Sequence, residues 1–169
     1  NLTRAVGKID LVLARGYETE PGVYREVPFA TGQKISDLFK EVEIQVKDCG
    51  DNLGIRGCAG SANVYEKYTA GGEAFRTVLS GDPDNVGGTR TGFAVVDGPF
   101  ILPPKDDATM EVRVKLTPAD GIDLPVYERT FVNGADGAIN TPRNHRLVIT
   151  VWVDSVFPTI TATANLSDI

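Results

Sequence analysis

Few residues in this chain have the type and spacing that chemistry requires. His145 is the only histidine, and it stands between arginines in Arg143-Asn144-His145-Arg146. It is the natural base for a hydrolytic triad, but its charged neighbours in sequence are cations. No serine or cysteine lies in a nucleophile motif such as Gly-x-Ser-x-Gly. A structural or surface histidine is the expectation. Asp82-Pro83-Asp84-Asn85-Val86-Gly87 echoes a calcium loop, yet Val86 occupies the place of an oxygen ligand and no Glu closes the loop. An acidic turn explains it more simply. Asp106-Asp107 reads as a solvated turn after Pro103-Pro104. A carboxylate pair for glycoside hydrolysis would draw its partners from distant sequence, and nothing singles one out. Gly71-Gly72 and Gly87-Gly88 lack the lysine and the strand-to-helix setting of a phosphate loop.

Cys49 and Cys58 enclose a glycine-rich stretch, Gly50-Asp51-Asn52-Leu53-Gly54-Ile55-Arg56-Gly57. A disulfide closing this loop fits an exported protein; two free or half-buried thiols are the alternative. With one histidine and no second cysteine pair, a cysteine metal site is not expected. Tyr65, Tyr68, Phe75 and Trp152 have the chemistry to line a sugar-binding face, though core or edge cover accounts for them more simply. The expectation is a chain with no catalytic activity, no metal and no cofactor.

The elements that would position any site are strands. Val42, Ile44 and Val46 alternate with Glu43, Gln45 and Lys47; Met110, Val112, Val114 and Leu116 alternate with Glu111, Arg113 and Lys115. A period of two with charge on one side predicts half-buried antiparallel strands. Leu147, Ile149, Val151 and Val153 alternate with Val148, Thr150 and Trp152. That strand is apolar on both faces, so it is central or covered. Ala5, Gly7, Ile9, Leu11 and Leu13 form a similar face in Thr3–Leu13. Weaker strands are predicted at Tyr24–Phe29, Phe93–Val96, Pro99–Leu102, Val126–Val132 and Thr159–Leu166. Turn chemistry separates them at Asp97-Gly98, Asp120-Gly121 and Asn133-Gly134, among others. Only Ile35–Lys40 resembles a helical turn, with Ser36 as its cap. Ala59–Gly92 reads as a long loop excursion.

The whole fits one all-β sandwich domain spanning 1–169, of a size that supports a real core. A net charge of −6 argues against nucleic acid, which demands a basic face. No apolar run is long enough to span a bilayer. The chain opens at Asn1 without Met, which suggests a processed product and a removed export signal.

Three motifs in order carry a family resemblance. They are Leu2-Thr3-Arg4-Ala5-Val6-Gly7-Lys8-Ile9-Asp10-Leu11, then Gly98-Pro99-Phe100-Ile101-Leu102-Pro103, then Arg143-Asn144-His145-Arg146-Leu147-Val148-Ile149-Thr150-Val151. Together they resemble the Bacteroidetes fimbrillin superfamily, the type V pilus subunits with their anchor and tip relatives. Gly16–Gly92 adds no motif, and an aromatic usual after Arg-Asn-x is here Arg146-Leu147. The resemblance implies a transthyretin-like Greek-key sandwich of about seven strands. It also implies a non-enzymatic pilus subunit at the bacterial surface, with a lipid anchor on a segment removed by proteolysis and a gap filled by a neighbour's strand. Implied partners are other copies or related subunits, and a host glycan or protein. Two stretches suit strand pairing: Ala5, Gly7, Ile9, Leu11 and Leu13 at the start, and Ile160, Ala162 and Ala164 near the end. Asp154-Ser155-Val156 resembles the O-glycosylation pattern of exported Bacteroidetes proteins, with Ser155 as acceptor. A carbohydrate-binding or adhesin sandwich is the alternative function.

Overall fold

Alternation along the chain sorts its strands into two sheets whose apolar sides face each other. The computed structural model describes residues 6–30, 32–54, 57–105, 108–154 and 160–168. In the first sheet, β1 (Gly7–Glu20) lies between β11 (His145–Asp154) and β8 (Ala94–Ile101). Outside β11 runs β12 (Ile160–Asp168), outside β8 runs the short β7 (Phe75–Thr77), and β2 (Val23–Glu26) pairs with the far end of β1. The second sheet has the order β10 (Tyr127–Val132), β9 (Glu111–Pro118), β3 (Phe39–Cys49) and β6 (Ala62–Thr69). A separate two-stranded hairpin joins β4 (Asn52–Gly54) to β5 (Gly57–Ala59). The expected all-β sandwich is present, with six and four strands in its main sheets rather than about seven in all.

β1 and β11 run parallel, with Ile9 opposite Leu147, Leu11 opposite Ile149 and Leu13 opposite Val151. These residues are fully buried against Val42, Ile44 and Val46 of β3 and Val112, Val114 and Leu116 of β9. The inward half of each alternating pattern is therefore one continuous core. A smaller cluster on the outer face of the six-stranded sheet explains why β11 is apolar on both sides. Ala14, Val78 and Phe93 are buried there, with Val12, Phe29, Val95 and Trp152 packed on them. Tyr24 stacks on the Trp152 ring at 5.1 Å between centroids.

Several sequence expectations are corrected. Asp97-Gly98 is not a turn: β8 runs straight through it, merging two predicted strands. A Cβ on Gly98 would lie 1.9 Å from the Ile9 carbonyl oxygen, so only glycine lets β8 approach β1 at this irregularity in the ladder. Ala59–Gly92 is not a loose excursion, because it contains β6 and β7. The helical turn is a single 3-10 turn, Ile35–Asp37. Ser36 lies inside it rather than capping it, and its hydroxyl pairs with Thr77 Oγ1 at 2.9 Å.

Candidate strand-pairing edges

A β-sandwich offers other molecules its sheet edges, where backbone N–H and C=O groups lack a neighbour. The first predicted pairing stretch is not such an edge. Gly7, Ile9, Leu11 and Leu13 belong to β1, which has β11 on one side and β8 on the other. Ala5 lies outside the described residues. The second stretch is an edge. Ile160, Ala162 and Ala164 pair with Val153, Val151 and Ile149 of β11, and the other side of β12 has no strand in its sheet. Both end strands are therefore paired within the chain. Among the described residues, the other strands of the two main sheets with an unpaired side are four-residue β2, three-residue β7, six-residue β10 and eight-residue β6.

Cys49 is a buried free thiol whose Sγ donates to the Ala62 carbonyl at 3.3 Å. Burial pushes its pKa up. The Cys58 side chain, Asp106-Asp107 and Ser155 lie outside the described residues. The acidic turn expected at Asp82–Asn85 is held by Arg76 of β7 and by its own backbone. Arg76 pairs with Asp84 and lies 3.7 Å from Asp82, while Asp82 Oδ2 accepts from the Leu79 N–H at 2.7 Å. The guanidinium thus supplies the positive charge a calcium ion would bring. His145, at the start of β11, donates from Nδ1 to the Arg143 carbonyl at 2.8 Å and places Nε2 3.1 Å from Asp168 Oδ1.

The aromatic residues do not share a face. Phe75 is buried, Tyr68 packs against the core, and Trp152 lies under Tyr24. Tyr65 is 51% exposed on the outer face of β6, where its hydroxyl bonds Glu43. Two adjoining cavities, about 320 and 520 Å³, open beside the turn Ile35–Asp37, and Lys34 and Asp37 line both.

The outer face of the four-stranded sheet is a ladder of opposite charges. Lys67 lies 3.2 Å from Glu41, Lys115 3.8 Å from Glu43, and Arg113 2.9 Å from Glu128. Two charged residues lie on the core side of this sheet's edge strands, Glu66 exposed and Arg129 half-buried. On β6, Val64, Glu66 and Tyr68 stand opposite Val46, Ile44 and Val42, so all three share the core side. On β10, Tyr127, Arg129 and Phe131 stand opposite Leu116, Val114 and Val112 and do likewise. Since Ile44 is also opposite Val114, one transverse row runs Glu66, Ile44, Val114, Arg129. An acid ends the row on one side and a base ends it on the other.

The two charges differ in their surroundings. Arg129 lies 4.3 Å over the Phe131 ring, pairs with Asp136 at 3.3 Å, and donates from Nη1 to the carbonyl oxygen of Ala162 on β12. It spans the open side between the two sheets. Glu66, among the described residues, makes no ion pair. Burial pushes the neighbouring Tyr68 hydroxyl up to about 12, and the Glu66 carboxylate adds to that shift. The sequence signal was present: a charge at the middle of an otherwise apolar half-pattern, in Tyr127-x-Arg129-x-Phe131 and Val64-x-Glu66-x-Tyr68.

No family model matches the chain, and no curated protein matches it. Among solved structures, a candidate cell-adhesion protein from Bacteroides uniformis is similar over 98% of this chain and 51% of its own, at 12% identity and a TM-score of 0.40. A candidate cell-adhesion protein from Parabacteroides distasonis is similar over 97% of this chain and 52% of its own, at 14% identity and a TM-score of 0.36. The chain spans about half the length of each of these two structures.

Proposed function

We propose that this chain is a non-enzymatic structural subunit of a bacterial surface pilus, assembled by strand addition between neighbouring subunits. The observation that carries this reading is the set of unpaired edges. β12 has nine residues, β6 eight and β10 six, and each ends its sheet. An added strand would satisfy a row of backbone groups and extend a core-facing side at once. The resemblance to the fimbrillin superfamily supports the same reading, with export to the outer membrane and partners that are other copies or related subunits. Because β1 is laddered on both sides, replacing it would break two ladders, whereas adding a strand to an outer edge breaks none.

The test is assembly itself. Purified protein, concentrated and viewed by negative-stain electron microscopy, is expected to give filaments or detergent-resistant oligomer ladders. A protein that remains monomeric by light scattering at high concentration, and gives no filaments on cells that express it, overturns the proposal.

A further inference from the structure

The row Glu66, Ile44, Val114, Arg129 has opposite charges at its two ends, on the two strands that end the four-stranded sheet among the described residues. We infer that a second copy of this chain docks its β10 along β6, continuing that sheet, with Glu66 of one copy opposite Arg129 of the next. This rests on the assembly reading above and names the surfaces that meet.

Strand direction allows it. β6, β3, β9 and β10 are each antiparallel to the next, so β10 runs antiparallel to β6. A copy shifted sideways in its own sheet therefore presents β10 to β6 as an antiparallel partner, without turning its core side outward. The register that places Glu66 opposite Arg129 also fixes every other pair. On the core side, Val64 meets Phe131 and Tyr68 meets Tyr127. On the outer side, Lys67 meets Glu128. Both central cross-strand pairs are then of opposite charge and the flanking core-side pairs are aromatic or aliphatic, the combinations that stabilise antiparallel ladders. A slip by two residues loses both charge pairs and sets Glu66 against an aromatic ring.

Each copy would use one edge to give and the other to receive, so the contact is heterologous and does not close into a dimer. Arg129 can serve it without surrendering its present partners. The guanidinium carries five N–H donors, and the contacts to Ala162 and Asp136 employ Nη1 and Nη2. Glu66, with no ion pair of its own, gains one.

An inward charge on an edge strand has another use, which is to repel all pairing. The experiment separates the two. Wild type, Glu66→Arg, Arg129→Glu and the double swap Glu66→Arg/Arg129→Glu are compared by multi-angle light scattering and electron microscopy. Each single variant sets like charges against each other at the contact and is expected to lower the association constant about tenfold or more. The double swap, present in every copy, restores opposite charges at the contact and is expected to recover assembly relative to Arg129→Glu alone, which carries the same loss of the Asp136 and Ala162 contacts. Zero-length carbodiimide crosslinking of wild type is expected to join Lys67 of one copy to Glu128 of another, identified by mass spectrometry in mixed light- and heavy-isotope protein.

Assembly that survives both single reversals, or that the double swap does not rescue, overturns this interface and leaves the pilus reading standing. Self-association that appears only in Glu66→Val or Arg129→Val identifies the two charges as guards and also overturns it. The expected swap pattern in a protein that forms no filaments on cells keeps this interface and removes the pilus reading.

Discussion

The guanidinium of Arg129 on β10 donates to the carbonyl oxygen of Ala162 on β12, so a side chain of one sheet holds the backbone edge of the other. Asp136 fixes it there, accepting from Arg129 Nη2 at 3.3 Å while also accepting from the Val132 N–H at 2.8 Å. The hydrogen bond to Ala162 joins the two sheets beside the apolar packing of Phe131 and Ala162 in the core.

Arg129→Ala removes the donor and leaves Asp136 without its cation. With the arginine side chain 39% exposed, solvent screens part of the loss, and the expected destabilisation is about 1–2 kcal/mol. Arg129→Lys recovers only part of it, because a compact ammonium lacks the fork that reaches two acceptors. Urea unfolding of the three proteins checks this, and equal midpoints would remove the structural role given to Arg129.

Gly98→Ala forces β8 and β1 apart, since the added methyl would meet the Ile9 carbonyl at 1.9 Å. The strain expected from overpacking is about 2–3 kcal/mol, or a Tm lower by roughly 5–10 °C. Thermal melts followed by circular dichroism give the number directly. A melt within one degree of wild type would mean that the two strands part at no cost.

Tyr65 and Glu43 make stability depend on pH at both ends of the scale. The Tyr65 hydroxyl, assisted by Lys115 and Lys67, holds the Glu43 carboxyl below its ordinary value of 4.5. The same hydrogen bond pushes the Tyr65 hydroxyl above its ordinary value of 10.0. The folded state thus favours ionised Glu43 and neutral Tyr65. The carboxylate contribution is complete above 4.5 and is lost as pH falls through the lower folded value. The phenol contribution is complete below 10.0 and is lost as pH rises through the higher one. In Tyr65→Phe, the stability deficit against wild type is expected to be constant near neutrality and to shrink toward both extremes. A deficit that does not change with pH would disconnect the pair from folding.

Cys49 is expected to resist alkylation in the native protein and to react once urea exposes it, because the thiol is buried and burial raises its pKa. Mass spectrometry of the peptide containing Cys49 gives the readout with no reductant present. If the denatured protein reacts only after reduction, the thiol is bridged to Cys58 and the free-thiol arrangement is wrong.

How far the sequence revealed this structure depended on where each strand lies. β3, β9 and β11 were legible because both their neighbours are strands, and one or both faces are buried, so alternation is strict. β6 was hard to read because it is an edge: Asn63, Tyr65 and Lys67 face outward and Glu66 interrupts the inward apolar series, so the period is weak. β8 was cut in two because Asp97-Gly98 has turn chemistry, whereas the glycine serves close approach of β1. Ser36 read as a cap because capping is local, but its partner Thr77 is distant in sequence. The strand β12 was legible in its Thr-rich alternation, which did not say whether it pairs within the chain or with a neighbour. The neighbours of β1 were not, since pairing with β11 and β8 is decided by contacts that no local pattern encodes.

The parallel ladder between β1 and β11 also sets an order of events during synthesis. β1 is made long before its partner, with Lys8 waiting for Arg146 and Leu13 for Val151. The four-stranded sheet and the β1–β8 pair can form meanwhile, but the flank that β11 will cover stays open to solvent. Closing a ladder over so long a stretch is slow, and during that interval the flank is the surface most exposed to mispairing. The interval between the synthesis of β1 and that of β11 is therefore when β1 is most open to mispairing, and a holding factor would be of greatest use at that moment.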